Sequence, residues 1–226
     1  DSALNEMTGV LHRLTELATK AANGTMDQTA LDAVMNEVLE MRNHLYQIAN
    51  TQFENSYIFA GQRTNQPAYS LVASGVPGDP DIMQWDGSNA PLVAEVGTGI
   101  RMEISITGNR IFGDPPNDFF AELTEFINHL KAGDHEAISN IDILAIQKRL
   151  DEVLNIRGEI GAKVNRLESN LSRLEIMNVN FRELLSKTED TDYAEVTMNL
   201  MMQESVYQAA LAVGARISHN TLVNYL

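Results

Sequence analysis

Residues 143–185 read ILAIQKRLDEVLNIRGEIGAKVNRLESNLSRLEIMNVNFRELL, and the pattern in them decides the fold class. Ile143, Leu150, Arg157, Val164, Leu171, Asn178 and Leu185 lie seven apart. Ile146, Val153, Ile160, Leu167, Leu174 and Phe181 form a second such series. Eleven of the thirteen positions are apolar, which makes a sustained heptad seam. The spacing predicts a helix of ~45 residues, a rod of roughly 65 Å at 1.5 Å per residue. Its seam, Ile146, Leu150, Val153, Ile160, Val164, Leu167, Leu171, Leu174 and Phe181, is expected to pack on partner helices. On that reading, Asp at both Leu167 and Leu174 unfolds the helical body, because a buried charge without a partner is costly. Arg157 and Asn178 interrupt the seam. Either they reach water and a polar neighbour, or they fix register between helices.

The stretches on either side divide by composition. Residues 1–53 contain no Pro and two Gly, whereas residues 54–113 hold 8 of the 14 Gly and 4 of the 6 Pro. From 117 onward there is again no Pro. A turn-rich middle is thus set between two helical arms. In the first arm Leu4, Met7, Leu11, Leu14, Ala18 and Ala21 keep 3-4 spacing up to Asn23-Gly24, which stops a helix. Thr25 or Asp27 then caps a second helix, with Leu31, Val34, Val38, Met41, Leu45 and Ile48 on one face. In the middle, Ile100 to Thr107 alternates apolar and polar residues, as a strand does. Tyr57–Phe59 and Tyr69–Val72 are weaker strands, and Asp86-Gly87 is a hairpin-type turn signal. Helix resumes near Asn117 and breaks at Gly133-Asp134. An acidic stretch, Thr188–Asp192, ends the rod and caps a last helix from about Tyr193 to Asn224. That helix is apolar on more than one face, which implies burial in an assembly or beside a further segment.

Chemistry is sparse. The 226 residues carry a net charge of −15, which disfavours a nucleic-acid partner. No apolar run approaches a membrane span. With no Cys there are no disulfides, thiolate ligands or Cys nucleophiles. His12, His44, His129, His135 and His219 form no i, i+4 pair and no metal motif, so surface helix positions are expected for them and no cofactor is expected. Gly97-Thr98-Gly99 precedes a strand rather than a helix and reads as a bulge or turn. Asp79, Asp81 and Asp86 admit a weak ion site, without the spacing of a calcium loop. Nothing selects a catalytic pair of carboxylates, and an enzyme is the least supported class. The chain opens Asp1-Ser2-Ala3 in mid-pattern, which suggests a piece of a longer or processed protein.

Leu14 to Thr25 (LTELATKAANGT) closely resembles the N-terminal spoke region of bacterial flagellins, and Ile48–Phe53 resembles the end of the same hairpin. Tyr57-Ile58-Phe59-Ala60-Gly61-Gln62-Arg63-Thr64 is similar to the flagellar hook-associated protein 3 family of hook–filament junction proteins. Tyr207–Ile217 and Thr221–Leu226 fit the same family. The resemblance implies an α+β, flagellin-like elongated helical bundle. Its rod domain is residues 1–53 and 114–190, with an inserted mainly-β outer domain at 54–113 and a C-terminal axial helix at 191–226. It implies a structural, extracellular subunit of the flagellum, exported by the flagellar type III apparatus. The implied partners are neighbouring copies of itself, a hook-side hook-associated protein, flagellin and an export chaperone. Met198, Met201, Met202, Val206, Tyr207, Leu211 and Leu222 are the expected assembly and chaperone contacts. Two alternatives stay open: a filament subunit proper, and a ligand-binding module on a helical stalk.

Overall fold

The computed structural model describes residues 1–76, 79–97, 99–190 and 192–223, with side chains up to Ile217. The chain divides into two compact units, Asp1–Asn170 and the residues from Leu171 onward.

Helix α1 (Ser2–Ala22) and helix α2 (Gln28–Ala49) form the expected hairpin. Leu4, Met7, Leu11, Leu14, Ala18 and Ala21 are all buried, as are Leu31, Val34, Val38, Leu45 and Ile48, while Met41 is half-buried. Of the two candidate caps for α2 it is Asp27 that serves, its carboxylate accepting the Ala30 N–H at 2.9 Å.

Among the described residues, the middle segment builds three separate two-stranded antiparallel sheets. Strand β1 (Gln52–Phe53) pairs with β2 (Ser56–Tyr57), β3 (Tyr69–Val72) with β4 (Ile82–Trp85), and β5 (Val93–Gly97) with β6 (Ile100–Glu103). Three expectations change here. The strand from Ile100 stops at Glu103, and Ile104 only donates its N–H to the Leu92 carbonyl. Tyr57 ends β2, and Ile58-Phe59 runs on into a turn. Asp86-Gly87 is no hairpin turn: the Asp86 N–H donates to Ala68, and Gly87 lies against the Trp85 ring, where a Cβ would come within 2.3 Å. A β-bulge lies between Glu95 and Gly97, and Gly99 has φ +74°; Thr98 lies outside the described residues.

The strands do not keep a core of their own. Phe59, Ala60, Ala68, Tyr69 and Met83 join one hydrophobic cluster with α1, α2 and the helices that follow. Strands as short as β1 to β4 bury too little area to be stable alone, and Tyr57, Tyr69, Met83 and Trp85 lean on the helical body. Tyr69 is fully buried between Trp85, Phe112 and Phe120, with ring centroids 5.0–5.5 Å apart.

After β6 comes a short helix, α3 (Gly108–Phe112), which the strand pattern does not foretell. Helix α4 (Phe119–Ala132) is capped by Asp118 and closed by Gly133 in the left-handed conformation. A single turn, α5 (His135–Ala137), and a π-helical turn (Ile138–Asp142) lead into the 47-residue helix α6 (Ile143–Glu189). Helix α7 (Tyr193–Val223) completes the described chain; Asn224 lies outside it. Asp192 caps α7, accepting the N–H groups of Ala194 and Glu195 at 2.9 and 3.3 Å.

Candidate assembly surface

The predicted seam of α6 divides at its middle. Ile146 and Val153 are buried, and Leu150, Ile160 and Leu167 are half-buried against the first unit. Val164, Leu171, Leu174 and Phe181 are exposed, Phe181 to 63%. Within the first unit, the other helices bury α6 along Ile146, Arg149, Val153 and Ile156. Leu174 is thus open to water and Leu167 only partly covered, so the expectation that Asp at these two positions unfolds the body is corrected. Asn178 is likewise exposed. Arg157 is not solvent-directed: it reaches α1, with Nε 3.4 Å from Asp1 Oδ1 and Nη1 3.4 Å from Thr8 Oγ1.

The buried stripe of α6 also holds two residues that a heptad reading passes over, Arg149 and Ile156. Arg149 Nη1 donates to Glu152 at 2.7 Å and to the Ile111 carbonyl at 3.3 Å, Nη2 lies 3.6 Å from Glu122, and the guanidinium stands 5.5 Å over the Phe119 ring. Such partners make a charge tolerable inside. Burial raises the Glu122 pKa, with Arg149 pulling the other way. Arg110 adds a tie between α3 and α6, donating from Nη2 to both carboxylate oxygens of Glu159 at 2.7 and 2.6 Å.

Beside this stripe the first unit carries a largely apolar groove of about 500 Å³. It runs between the start of α1, the 51–59 turn, residues 102–106 and α6 at Ile160, Lys163, Val164 and Leu167.

In the second unit none of the described side chains is buried. At 100° per residue, Tyr193, Val196, Leu200, Tyr207 and Leu211 form one stripe of α7. Met198, Met202, Val206, Val213 and Ile217 form another on the opposite side, with Met201 between. All are exposed, Met198 to 68% and Tyr207 to 66%. Between the stripes from residue 205 to 217 stand mostly Ala, Ser, Gln and Gly. The expected contacts Met198, Met201, Met202, Val206, Tyr207 and Leu211 therefore all lie open; the Leu222 side chain lies outside the described residues. A helix with two opposed apolar stripes and almost no charged face has the chemistry of a segment clasped from both sides.

The titratable residues serve structure. His44 Nε2 meets Glu6 at 2.8 Å across the α1–α2 hairpin. His129 Nδ1 meets Asp142 at 2.9 Å, and His135 Nδ1 donates to the Ala21 carbonyl at 2.7 Å. His12 and His44 lie at the surface, as expected, whereas His129 and His135 are half-buried and tie helical segments together; the His219 side chain lies outside the described residues. Burial pushes the Asp142 carboxyl up, with the His129 hydrogen bond opposing. Asp79 pairs with Lys131 at 3.2 Å, and the Asp81 and Asp86 carbonyls accept from Arg42 and Arg63. Among the described residues no three His, Asp or Glu side chains are gathered to hold a metal, and no helix is long and apolar enough to cross a membrane.

Comparison with known proteins gives this surface a context. The chain is 27% identical to flagellar hook-associated protein 3 of Escherichia coli K12 over 227 residues, spanning 93% of this chain and 71% of that one. It is 24% identical to the protein of the same name from Salmonella typhimurium LT2, over 93% of this chain and 71% of the other. Its fold matches a putative flagellar hook-associated protein from Vibrio parahaemolyticus with a TM-score of 0.71 at 20% identity, covering 83% of this chain and 82% of that one. The bacterial flagellin N-terminal helical region matches residues 1–64 and the bacterial flagellin C-terminal helical region residues 143–226, together more than half of the chain, and the chain belongs to the bacterial flagellin family of structural flagellar proteins.

Proposed function

We propose that this chain is the subunit that joins the flagellar hook to the filament, working by helix packing in a tubular lattice. The observation that carries the reading is the run of exposed apolar side chains from Leu171 to Ile217. The likeness to hook-associated protein 3 along 93% of the chain supports it. Apolar burial contributes about 25 cal/mol per Å², without direction. The two stripes of α7 supply such area on both sides, so each subunit has one surface for each of two neighbours. Unlike patches meeting in this way continue a lattice instead of closing a dimer. Modest contacts repeated around a lattice hold by their number.

On this reading the partners are neighbouring copies, a hook-side hook-associated protein, flagellin, and an export chaperone that shields Met198, Met201, Met202, Val206, Tyr207, Leu211 and Leu222 before assembly. The second half of the seam, Val164, Leu171, Leu174 and Phe181, is covered in the lattice. The strand segment 54–113 faces outward, and the mature protein is extracellular, delivered by the flagellar type III apparatus. The test is deletion of the gene in its host. Hooks without filaments, with flagellin lost to the medium, are the expected result. Flagellin absent altogether points to the filament subunit, and normal filaments refute both roles. A module that binds a ligand through its strands on a helical stalk predicts saturable binding that survives loss of residues 193–226.

A further inference from the structure

Asn23-Gly24 is the sole Asn-Gly pair in the chain. It sits at the end of α1, where both residues are exposed. The Gly24 N–H has no hydrogen-bond acceptor among the described residues, and neither does the Asn23 carboxamide have a partner. Gly24 has φ +64°, and a Cβ built there meets only the edge of the His135 ring, at 3.9 Å. Gly24 thus has open space at its Cα, and its N–H is uncommitted next to an untethered side-chain amide.

We propose that Asn23 is a site of spontaneous deamidation in the folded protein. The Gly24 nitrogen attacks Asn23 Cγ, a C–N bond forms, and the Cγ–NH₂ bond breaks. The Gly24 amide proton leaves with the amide as ammonia, and a five-membered succinimide remains. Water then opens the ring at one of its two carbonyls, giving Asp or its iso form; the net change is water in and ammonia out. Asn23 has φ −67° and ψ −3°, so its backbone must turn before the attack. The end of a helix opens at almost no free-energy cost.

Other positions show what protection looks like. Asn50 is held at both ends, its Nδ2 donating to the Tyr69 carbonyl and its Oδ1 accepting the Tyr69 N–H. At Asp86-Gly87, the Asp counterpart of this chemistry, the Asp86 carbonyl accepts from Arg63, the Asp86 N–H is bonded to Ala68, and Gly87 is pinned against Trp85. The consequence at Asn23 is local and directional. A new carboxylate stands at the negative end of the α1 dipole, which disfavours the last turn. The iso form also adds a backbone carbon to the short link between α1 and α2, next to the hydrogen bond from His135 to Ala21.

The test incubates the intact chain at mildly alkaline pH, folded and in urea, and follows each Asn by peptide mass mapping. In the folded chain Asn23 is expected to convert within about tenfold of its rate in urea, because the helix end opens freely. Asn50 is expected to stay unchanged while folded. Gly24→Ala, which crowds the attacking nitrogen, slows conversion in both states, and Asn23→Gln abolishes it. Protection of folded Asn23 as complete as that of Asn50 overturns the proposal, as does a Gly24→Ala chain that converts at the parent rate.

Discussion

Gly61 shows how one atom secures the strand region to itself. Its φ is +63°, and a Cβ there would lie 2.1 Å from the Ser88 carbonyl oxygen and 2.8 Å from that of Ala90. Both are backbone atoms, so neither can swing aside. Gly61→Ala is therefore expected to destabilise the first unit by about 3 kcal/mol or more, from left-handed strain and forced backbone movement together. A urea midpoint equal to the parent's would refute this. Asp142 sets a second expectation at this scale. Burial raises its pKa above the ordinary 3.8, so the folded chain holds this proton more tightly than the unfolded chain does. Stability linked to this group is therefore greatest below pH 3.8 and is lost as pH rises through the raised pKa. Asp142→Asn removes the titration, so the variant gains on the parent as pH climbs through that window. Urea unfolding across the acid range checks it, and a stability difference that does not move with pH contradicts it.

Helix α6 is one element with two environments. Ile146 is buried to 2% exposure, while Leu174 is 45% exposed. Ile146→Ala should cost about 2–5 kcal/mol through lost contact and a residual cavity. Leu174→Ala should stay within about 0.5 kcal/mol in the isolated chain, as exposed substitutions do. Thermal melting of the two variants separates them; equal losses would mean that the second half of the seam is covered in the free chain. If the proposed lattice is correct, Leu174→Ala appears instead as impaired joining of hook to filament. The heptad repeat is continuous through both halves, so the repeat records what α6 can pack against, and the fold of a single copy uses only part of it.

At the scale of the whole molecule, the buried core and the proposed assembly surface occupy different parts of the chain. Every buried described residue lies before residue 171. A chain ending at residue 190 should accordingly keep the melting temperature of the full chain to within a degree or two, a loss of well under about 1 kcal/mol. The same chain should fail to join hooks. Differential scanning calorimetry and complementation of the deletion strain test the two halves of this statement. A large fall in melting temperature would show that α7 belongs to the folded core. Joining by the shortened chain would remove α7 from the assembly surface.

Periodicity alone settled most of the helical body. The 3-4 spacing of Leu4 to Ala21 and of Leu31 to Ile48 marks buried faces, because a helix has a stripe to hide and side chains recur on it every 3.6 residues. Local capping chemistry was equally readable at Asn23-Gly24, Gly133 and Asp192, where the signal is confined to a few adjacent residues. The motifs at 14–25 and 57–64 carried the family. Tertiary structure decided what depends on distant partners. Arg149 is buried because Glu122 and the Ile111 carbonyl meet it from elsewhere in the chain, beside Glu152 on its own helix, and no spacing rule puts a cation inside. Asp86-Gly87 has the letters of a hairpin turn, yet Trp85 and Ala68 claim it for the core. Strands β3 and β4 share the helices' core through Tyr69 and Met83 because so short a pair cannot bury enough area by itself. Where the seam stops being covered was also beyond the sequence: a heptad shows that a helix wants a partner, and only the arrangement of the other helices shows how far along it the partner reaches.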